Sequence, residues 1–369
     1  IIENPMGQIQ ECGEKVAYRS FVGHNAIALE LAEYMAKRFT YFSVEAWKRN
    51  IENGEVSLNG APASPNHVLK LGDEVQYMTK TRAEPLVPKK ISIVYQDQDI
   101  VVVNKPAHIP VHPTGRFLRN TMIHVLKKQL GLDFLVLAHR LDRETTGLCV
   151  LSKTPLGKDK MYWQFYNNEV DKTYWALAWG EPAKKSGIID APIGSAHGPD
   201  SRSKSPIRIK QEIRGAKSKT AKTKYHTLST QWIEQPEWNP PQWPALTRLK
   251  KEWSAPWPVS LIECKPVTGR TNQIRVHLGE LGTGLVGDKL YDPDEQVFMQ
   301  IKNQEPDLDT GNSKNGQFMK IPANLAPRLV LDAHALHARR LEFRHPRTGK
   351  VMVLEAPAPK SWKDFYKLP

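Results

Sequence analysis

The sequence has few cysteines, no long apolar run and no recognisable secretion signal. Its three cysteines, Cys12, Cys149 and Cys264, are widely spaced and form no Cys-x-x-Cys pair, which predicts reduced thiols in a cytoplasmic protein. No stretch of eighteen apolar residues is present, so no membrane-spanning helix is expected. The first residues do not place a basic segment before an apolar one, so no signal peptide is expected. These features argue against a disulfide-rich secreted domain and against an integral membrane protein.

The chain has a strong excess of positive charge. Its 369 residues include 52 Lys and Arg against 39 Asp and Glu, which gives a formal net charge of +13. Such an excess favours a polyanionic partner, and nucleic acid is the common one. The length is sufficient for two domains with a sizeable core.

The most informative stretch is a polar loop, residues 138–147, between two apolar runs, 134–137 and 148–151, that have the length and composition of strands. The loop places Asp142 between Arg140 and Arg143. An ordinary surface turn needs glycine, proline, asparagine or aspartate, whereas this loop resembles a set of polar groups that rigid strands hold for chemistry. The alternative is that Asp142 forms a structural ion pair between two strands.

The run from His139 to Gly147 resembles the signature of the RluA-type pseudouridine synthases, His-Arg-Leu-Asp-Arg-x-Thr-Ser/Thr-Gly, with Asp142 at the position of the catalytic aspartate. Further motifs of that family follow in the family's order: Asn104-Lys105-Pro106, Val111-His112-Pro113, Lys172-Thr173-Tyr174-Trp175-Ala176, Thr268 to Leu278, and Gly287-Asp288-x-x-Tyr291. The sequence departs from the pattern at Ala107-His108, where Ala-Gly is usual, and at Asn272, where His is usual. We expect the change at Asn272 to alter an RNA contact and to spare catalysis.

The resemblance implies an RNA pseudouridine synthase, an isomerase that needs no cofactor and no metal. It implies that Asp142 attacks or deprotonates the nucleotide, with the route (addition to the base, attack on the sugar, or a glycal) left open. Arg275 is the expected counter-charge of Asp142. Tyr174 is expected to pack on the base and to help move the C5 proton, and Arg140 to occupy the space of the flipped uridine. The other expected RNA contacts are His139, Arg143, Asn104, Lys105, Arg270, Gln273, Lys217 and Lys219.

The resemblance also implies an α+β fold with a mixed, mostly antiparallel sheet and a central cleft in a catalytic domain over residues 91–369. Residues 24–80 resemble the S4 RNA-binding domain, with two helical stretches followed by strands and an Asn59-Gly60 turn. Its basic and acidic residues nearly balance, and Lys37, Arg38, Lys48 and Arg49 form its candidate RNA patch or a solvated helical face. The proline-containing residues 81–90 are predicted to be a linker.

Local patterns predict several other elements of the catalytic domain. Asn120 is expected to cap a helix that ends at Gly131, and residues 155–168 are predicted to be helical. Residues 195–258 and 294–327 are predicted to be irregular. The basic run from Arg202 to Lys224 is either a solvated insertion or a set of phosphate contacts. The tryptophans that follow, Trp232, Trp238, Trp243, Trp253 and Trp257, either stack bases or pack on the domain.

Other functions fit the sequence less well. The glycine pattern of residues 282–287 resembles a dinucleotide site but follows a predicted helix instead of a strand. A glycosidase needs a second carboxylate across the bond from Asp142, and Glu144 is only two residues away. His334 and His337 have no cysteine or carboxylate at zinc-ligand spacing. A non-catalytic S4-type RNA-binding or ribosome-assembly protein remains the alternative to a monomeric, cytoplasmic enzyme that acts on rRNA or tRNA.

Overall fold

The structure is a computed structural model that describes residues 9–12, 15–39, 42–80, 84–114, 117–233, 243, 256–303 and 321–369. The chain divides between Glu84 and Pro85 into two compact units. In the described residues, no helix is both long enough and apolar enough to cross a membrane.

The N-terminal unit is a five-stranded antiparallel sheet with two helices. Its elements are β1 Ile9–Cys12, β2 Lys15–Phe21, α1 Leu31–Arg38, α2 Val44–Glu52, β3 Val56–Leu58, β4 Ala61–Pro62 and β5 Glu74–Lys80, with strand order β1-β2-β5-β3-β4. Leu31, Met35 and Trp47 are fully buried because the apolar faces of both helices pack into one core. At the predicted turn, Asn59 and Gly60 have φ values of 52° and 79° and connect β3 to β4. The S4-like identity of this unit stays a prediction.

The larger unit contains a ten-stranded sheet. Its strands are β6 Ser92–Gln96, β7 Ile100–Lys105, β8 Val136–Leu137, β9 Thr146–Ser152, β10 Asp171–Trp179, β11 Ser186–Asp190, β15 Lys222–Ile233, β16 Trp257–Pro266, β17 Leu336–Arg344 and β18 Val351–Glu355. The order is β11-β15-β16-β10-β17-β9-β7-β6, with β8 on β9 and β18 on β17. Only the β9–β17 pair is parallel among the described strands. The predicted α+β fold with a mostly antiparallel sheet is confirmed.

A second, three-stranded sheet lies in the larger unit, with the helices of that unit around both sheets. It contains β12 Ile193–Ser195, β13 Gln211–Ile213 and β14 Ala216–Lys219 in the order β13-β12-β14. The helices are α3 Met122–Leu130, α4 Pro155–Tyr166, α5 Gln273–Glu280, α6 Glu295–Asn303, α7 Ala326–Leu329 and α8 Lys360–Lys363.

Strand β9 fixes the end of the polar loop. Every residue of β9 is buried, as expected for a continuous apolar run in the middle of a sheet. Gly147 has a φ of 102°, and a Cβ built there would lie 2.3 Å from the backbone oxygen of Ala338. Glycine is therefore required for β9 to pair in parallel with β17 at this point.

Several local predictions were wrong. Residues 195–258 are not irregular throughout, because they contain β12 to β15 and the start of β16. In β15, buried Thr223 and Tyr225 alternate with exposed Lys224, so the basic residues obscure the strand pattern. Residues 294–327 contain α6 and α7, while residues 304–320 lie outside the described range.

The expected cap and the tryptophans also need correction. Thr121, and not Asn120, precedes α3, and the Asn120 amide donates a hydrogen bond to the Pro85 carbonyl at 2.8 Å. Helix α4 ends at Tyr166. Trp243 is buried in a hydrophobic cluster with Trp179, which favours packing over base stacking. Trp238 and Trp253 lie outside the described residues.

Candidate active site

The polar loop connects β8 to β9, and Lys105 at the end of β7 holds its backbone. The Lys105 ammonium is fully buried and donates to the carbonyls of Pro106, Arg143 and Thr145 at 2.8–2.9 Å. Burial lowers the pKa of Lys105 to about 7. The three carbonyls match the three donors of the ammonium form, so Lys105 positions the loop in this structure, and its contact with RNA stays a prediction.

Asp142 lies in this loop and pairs with Arg275 from α5. The Arg275 Nη1 donates to Asp142 Oδ2 at 3.0 Å. The Arg275 side chain is buried, whereas the Asp142 side chain is 35% exposed. This partner of Asp142 lies on a helix and not on a strand, while Arg143 pairs with Glu144 at 3.2 Å and Arg140 is exposed.

A second carboxylate, Asp288, holds the other side of the Arg275 guanidinium. Nε and Nη2 of Arg275 donate to the two Asp288 oxygens, each at 2.8 Å. Burial by itself would lower the pKa of Arg275, but the charge and hydrogen bonds of Asp288, with Asp142, raise it. Arg275 therefore stays charged in a buried position. Sequence reasoning placed Asp288 in a family motif but assigned it no role.

Asn272 and Tyr291 complete the surroundings of Arg275. Asn272 Oδ1 accepts a hydrogen bond from Arg275 Nη1 at 3.1 Å, and its Nδ2 donates to the Tyr291 hydroxyl at 3.0 Å. The Tyr291 ring lies 4.8 Å from the guanidinium carbon. The Gln211 N–H, at the start of β13, also donates to the Tyr291 hydroxyl. Asn272 therefore contacts the arginine that binds Asp142, and the expectation that position 272 alters an RNA contact and spares catalysis stays a prediction.

Tyr174 is buried in β10, between Cys264 of β16 and Ala338 of β17. Burial, with the nearby charges of Cys149 and Asp142, raises the pKa of the Tyr174 phenol. A neutral hydroxyl therefore lies near the Asp142 carboxylate at ordinary pH.

The Glu144 carboxylate holds the middle of the loop through hydrogen bonds to residues outside it. Its carboxylate accepts a hydrogen bond from Lys289 Nζ at 2.9 Å and another from the His334 N–H at 3.2 Å. Burial alone would raise the pKa of Glu144, but Lys289, His334 and Arg143 hold it well below its usual range. Glu144 is thus committed to structural ion pairs and is not a second carboxylate for the reaction.

His334, just before β17, and His337, in β17, contact the last residues of the loop. His334 Nε2 lies 2.7 Å from the Thr145 hydroxyl, and His337 Nδ1 lies 2.8 Å from the Thr146 hydroxyl. Burial lowers the pKa of each histidine to about 4, so both rings are neutral. In the described residues, no group of three or more His, Cys, Asp or Glu side chains could hold a metal ion.

Two residues expected to contact RNA have structural surroundings instead. The His139 ring stacks on Phe165 at 4.5 Å and accepts a hydrogen bond from the Val150 N–H. Gln273 is buried, and its amide bonds to backbone or side-chain atoms of four residues: Lys222, Thr223, Thr268 and Arg270. In this structure both side chains hold the elements around the loop, and their contacts with RNA stay predictions.

The remaining candidates occupy more accessible positions. Asn104 is half-buried in β7, next to Lys105. Arg270 is exposed, although its Nε donates to the Thr220 carbonyl at 2.9 Å. Lys217 and Lys219 are exposed on β14.

Comparison with known proteins shows the family to which this chain is related. The sequence model of a family described as "RNA pseudouridylate synthase" matches residues 99–280. An "Uncharacterized RNA pseudouridine synthase" of Chlorobaculum parvum is 30% identical over 88% of this chain and 90% of its own length. The chain belongs to the RNA pseudouridine synthase family.

Two other relatives of this synthase carry more specific names. The "tRNA pseudouridine(32) synthase, mitochondrial" of Saccharomyces cerevisiae is 31% identical over 80% of this chain, which spans only 57% of that longer protein. The "Ribosomal large subunit pseudouridine synthase D" of Neisseria meningitidis is 28% identical over 93% of this chain and 76% of its own length.

The family match in this synthase ends at residue 280, before Asp288 and Tyr291. Those two residues nevertheless contact Arg275 directly, at 2.8 Å for Asp288 and at 4.8 Å for the Tyr291 ring. The site therefore combines a partly exposed carboxylate, a buried guanidinium and a neutral phenol.

Proposed function

We propose that this synthase isomerises specific uridines in structured RNA, either tRNA or rRNA, and that Asp142 is the residue that reacts with the nucleotide. The single observation that supports this role is the contact between the partly exposed Asp142 carboxylate and the buried Arg275 guanidinium. The names of the yeast and Neisseria relatives support both classes of RNA as substrates.

The reaction moves one bond and conserves every atom. The bond between N1 of uracil and C1′ of ribose breaks, the base rotates, and a bond forms between C5 and C1′. C5 then loses its proton and N1 gains one, so no oxidant or reductant is needed. Arg275 supplies the counter-charge that faces the Asp142 carboxylate during its attack, and the neutral Tyr174 hydroxyl near it assists the proton transfer at C5.

The target uridine must first leave its stack, at a cost of a few kcal/mol. Arg140 is exposed in the loop two residues before Asp142, so we assign it to the space that the flipped uridine leaves. The aromatic face of Tyr174 then packs on the base. The route, through the base, the sugar or a glycal, is open in this proposal.

RNA outside the site is bound through basic side chains. The exposed Lys217 and Lys219 of β14, with Arg143 and Arg270, are the proposed phosphate contacts. The N-terminal unit, as an S4-like domain, contributes to the choice of RNA. We place the enzyme in the cytoplasm as a monomer, in keeping with the unpaired, buried thiols of Cys149 and Cys264.

Substitution of Asp142 tests the proposal. Asp142→Asn keeps the size and polarity of the side chain but removes the carboxylate, so tritium release from C5-labelled uridine in transcribed tRNA and rRNA should become undetectable. Binding of the same transcripts should be retained. Asp364→Asn, at an exposed position directly after α8, is the matched control and should keep the parental rate. Parental turnover in Asp142→Asn would refute the catalytic role, and absence of turnover in the parent would favour a non-catalytic RNA-binding protein.

A further inference from the structure

Helix α4 carries three adjacent exposed aromatic side chains, Tyr162, Trp163 and Tyr166, which we call the aromatic patch. Their exposed fractions are 42%, 55% and 63%. The Tyr162 and Tyr166 rings stack with centroids 5.7 Å apart, and the Trp163 ring meets each of them edge-on at 5.6 Å. Single exposed apolar residues are normal on a protein surface, whereas a contiguous cluster marks a binding surface.

The aromatic patch is continuous with the candidate active site through Phe165. Met161 and Gln164 form the buried side of α4, and Phe165 lies between that side and the aromatic patch, as the helical period requires. The Phe165 ring stacks on His139 at 4.5 Å. His139 directly precedes Arg140 in the loop that carries Asp142, so Phe165 links the helix that carries the aromatic patch to this loop.

The charges beside the aromatic patch favour a polyanion. Lys158 lies one helical turn before Tyr162, in the same row as Tyr162 and Tyr166, and is exposed, while an exposed acid, Asp159, lies one turn before Trp163. Arg344, at the adjacent end of β17, is exposed. Its backbone carbonyl accepts a hydrogen bond from the Gln164 side chain at 2.8 Å. The row therefore offers cations for phosphates next to flat aromatic faces for bases.

We propose that the aromatic patch stacks unpaired bases of the RNA substrate on the side of α4. The proposal rests on the proposed function, because extrusion of a uridine at Asp142 leaves neighbouring nucleotides without their stacking partner. Aromatic side chains bind such bases with little sequence preference, since every base has a π-face. The aromatic patch would thus hold the strand that flanks the target uridine.

The decisive variant is Trp163→Ala combined with Tyr166→Ala in the full-length protein. The probes are a labelled single-stranded oligouridylate and tRNA transcripts with tritium at C5. Loss of stacking should weaken oligouridylate binding roughly tenfold or more and raise KM for the transcripts by a similar factor, with kcat at saturation unchanged. Trp163→Phe combined with Tyr166→Phe keeps the rings and should restore binding.

The matched control is Trp232→Ala, which removes a tryptophan 59% exposed on β15 and should leave binding and KM at parental values. Spectroscopy gives a second readout, since the 5-fluorotryptophan resonance of Trp163 should shift on addition of oligouridylate, and that of Trp232 should not.

Parental binding by the alanine variant, or an unmoved Trp163 resonance, would overturn the proposal. A loss of self-association in sedimentation, with RNA binding unchanged, would also overturn it and assign the aromatic patch to a second copy of the chain. The proposed function fails separately: a parent that releases no tritium but binds oligouridylate through the aromatic patch would refute the isomerase activity and leave this inference standing.

Discussion

Arg275 donates two hydrogen bonds to Asp288 and only one to Asp142. The Asp288 contacts, both 2.8 Å, involve a carboxylate that is 1% exposed, whereas the Asp142 contact, 3.0 Å, involves one that is 35% exposed. The buried carboxylate therefore fixes the plane of the guanidinium, and the remaining nitrogen is directed at the carboxylate that the substrate can reach. Asp288 thus orients the guanidinium that contacts Asp142.

This division of the guanidinium predicts that lysine cannot replace Arg275. A lysine ammonium is a single donor centre and cannot bind Asp288 at two points while it also pairs with Asp142. We expect Arg275→Lys to fold and to bind RNA, but to release tritium on the order of 100-fold more slowly, as when one preorganised donor is lost.

A similar fork elsewhere in the chain provides the control for Arg275→Lys. Arg328 binds Asp292 with Nε at 3.0 Å and Nη2 at 2.6 Å. Arg328→Lys should therefore lose a comparable amount of stability in thermal unfolding while the rate of tritium release stays parental. Equal rates for the two lysine variants would show that the Asp142 contact of Arg275 contributes nothing to the reaction.

Substitution of Asn272 tests the hydrogen bond that Arg275 Nη1 donates to the Asn272 side chain. Its φ of 55° is left-handed, a conformation that asparagine and glycine tolerate and alanine does not. Asn272→Gly should keep the backbone and lose the two side-chain hydrogen bonds, and Asn272→Ala should also strain the backbone. We expect both variants to lose kcat several-fold, with only Asn272→Ala losing about 1 kcal/mol in denaturant unfolding. A normal kcat in Asn272→Gly would show that position 272 spares catalysis, as the sequence suggested.

The sequence predicted the strands that surround the site better than the side-chain contacts within it. The apolar runs that became β7 and β9 are buried on both faces, so their pattern needed no tertiary information. The Asp142–Arg275 pair joins residues 133 positions apart and was expected only through the family resemblance. The role of Asp288 was missed because a motif does not show which side chains face each other.

Lys105 and His108 have surroundings or backbone geometry that the local sequence does not show. Lys105 was expected to contact RNA, whereas in the structure three carbonyls that meet only in the folded chain bind its ammonium. His108 stands where the family has glycine and keeps a left-handed φ of 63°, so the backbone retains the glycine conformation without the glycine. Neither arrangement can be inferred from local composition, since both depend on contacts that are distant in sequence or on backbone geometry.

The buried Glu144 predicts a change in the pH dependence of stability. Its pKa is lower in the folded chain than the ordinary value, so at acid pH the unfolded chain binds more protons than the folded one. Its contribution is therefore complete above about pH 4.5 and is lost as the pH falls further. In Glu144→Gln, the slope of unfolding free energy against pH below that point should fall by up to about 1.4 kcal/mol per pH unit.

The same substitution leaves the buried Lys289 without its counter-charge, which should cost about 3–5 kcal/mol in urea unfolding above about pH 4.5, and less as the pH falls further. The slope, and not the absolute stability, therefore identifies the titration of Glu144. Glu169→Gln changes an exposed carboxylate and should leave both quantities close to the parent. An unchanged acid slope in Glu144→Gln would contradict the assignment of Glu144 as an ionised buried group.

RNA affinity should depend more on the basic strands of the larger unit than on the N-terminal unit. Lys217 and Lys219 are exposed on β14 and Lys224 is exposed on β15, whereas Lys222 pairs with Asp190 at 2.7 Å. Each phosphate that a cation neutralises releases counterions, so affinity falls with salt at a slope set by the number of contacts. Replacement of the three unpaired lysines by glutamine should lower that slope by roughly one to three units.

The matched comparison replaces Lys37, Arg38, Lys48 and Arg49, on α1 and α2, by glutamine. Binding of one tRNA transcript is measured for both variants over the same salt series. We expect the larger fall in slope for the β14 and β15 variant, because the charges of the N-terminal unit nearly cancel and leave fewer cations for phosphates. If only the helix variant flattens the slope, the N-terminal unit is the main anchor and the lysines of β14 and β15 are solvated surface residues.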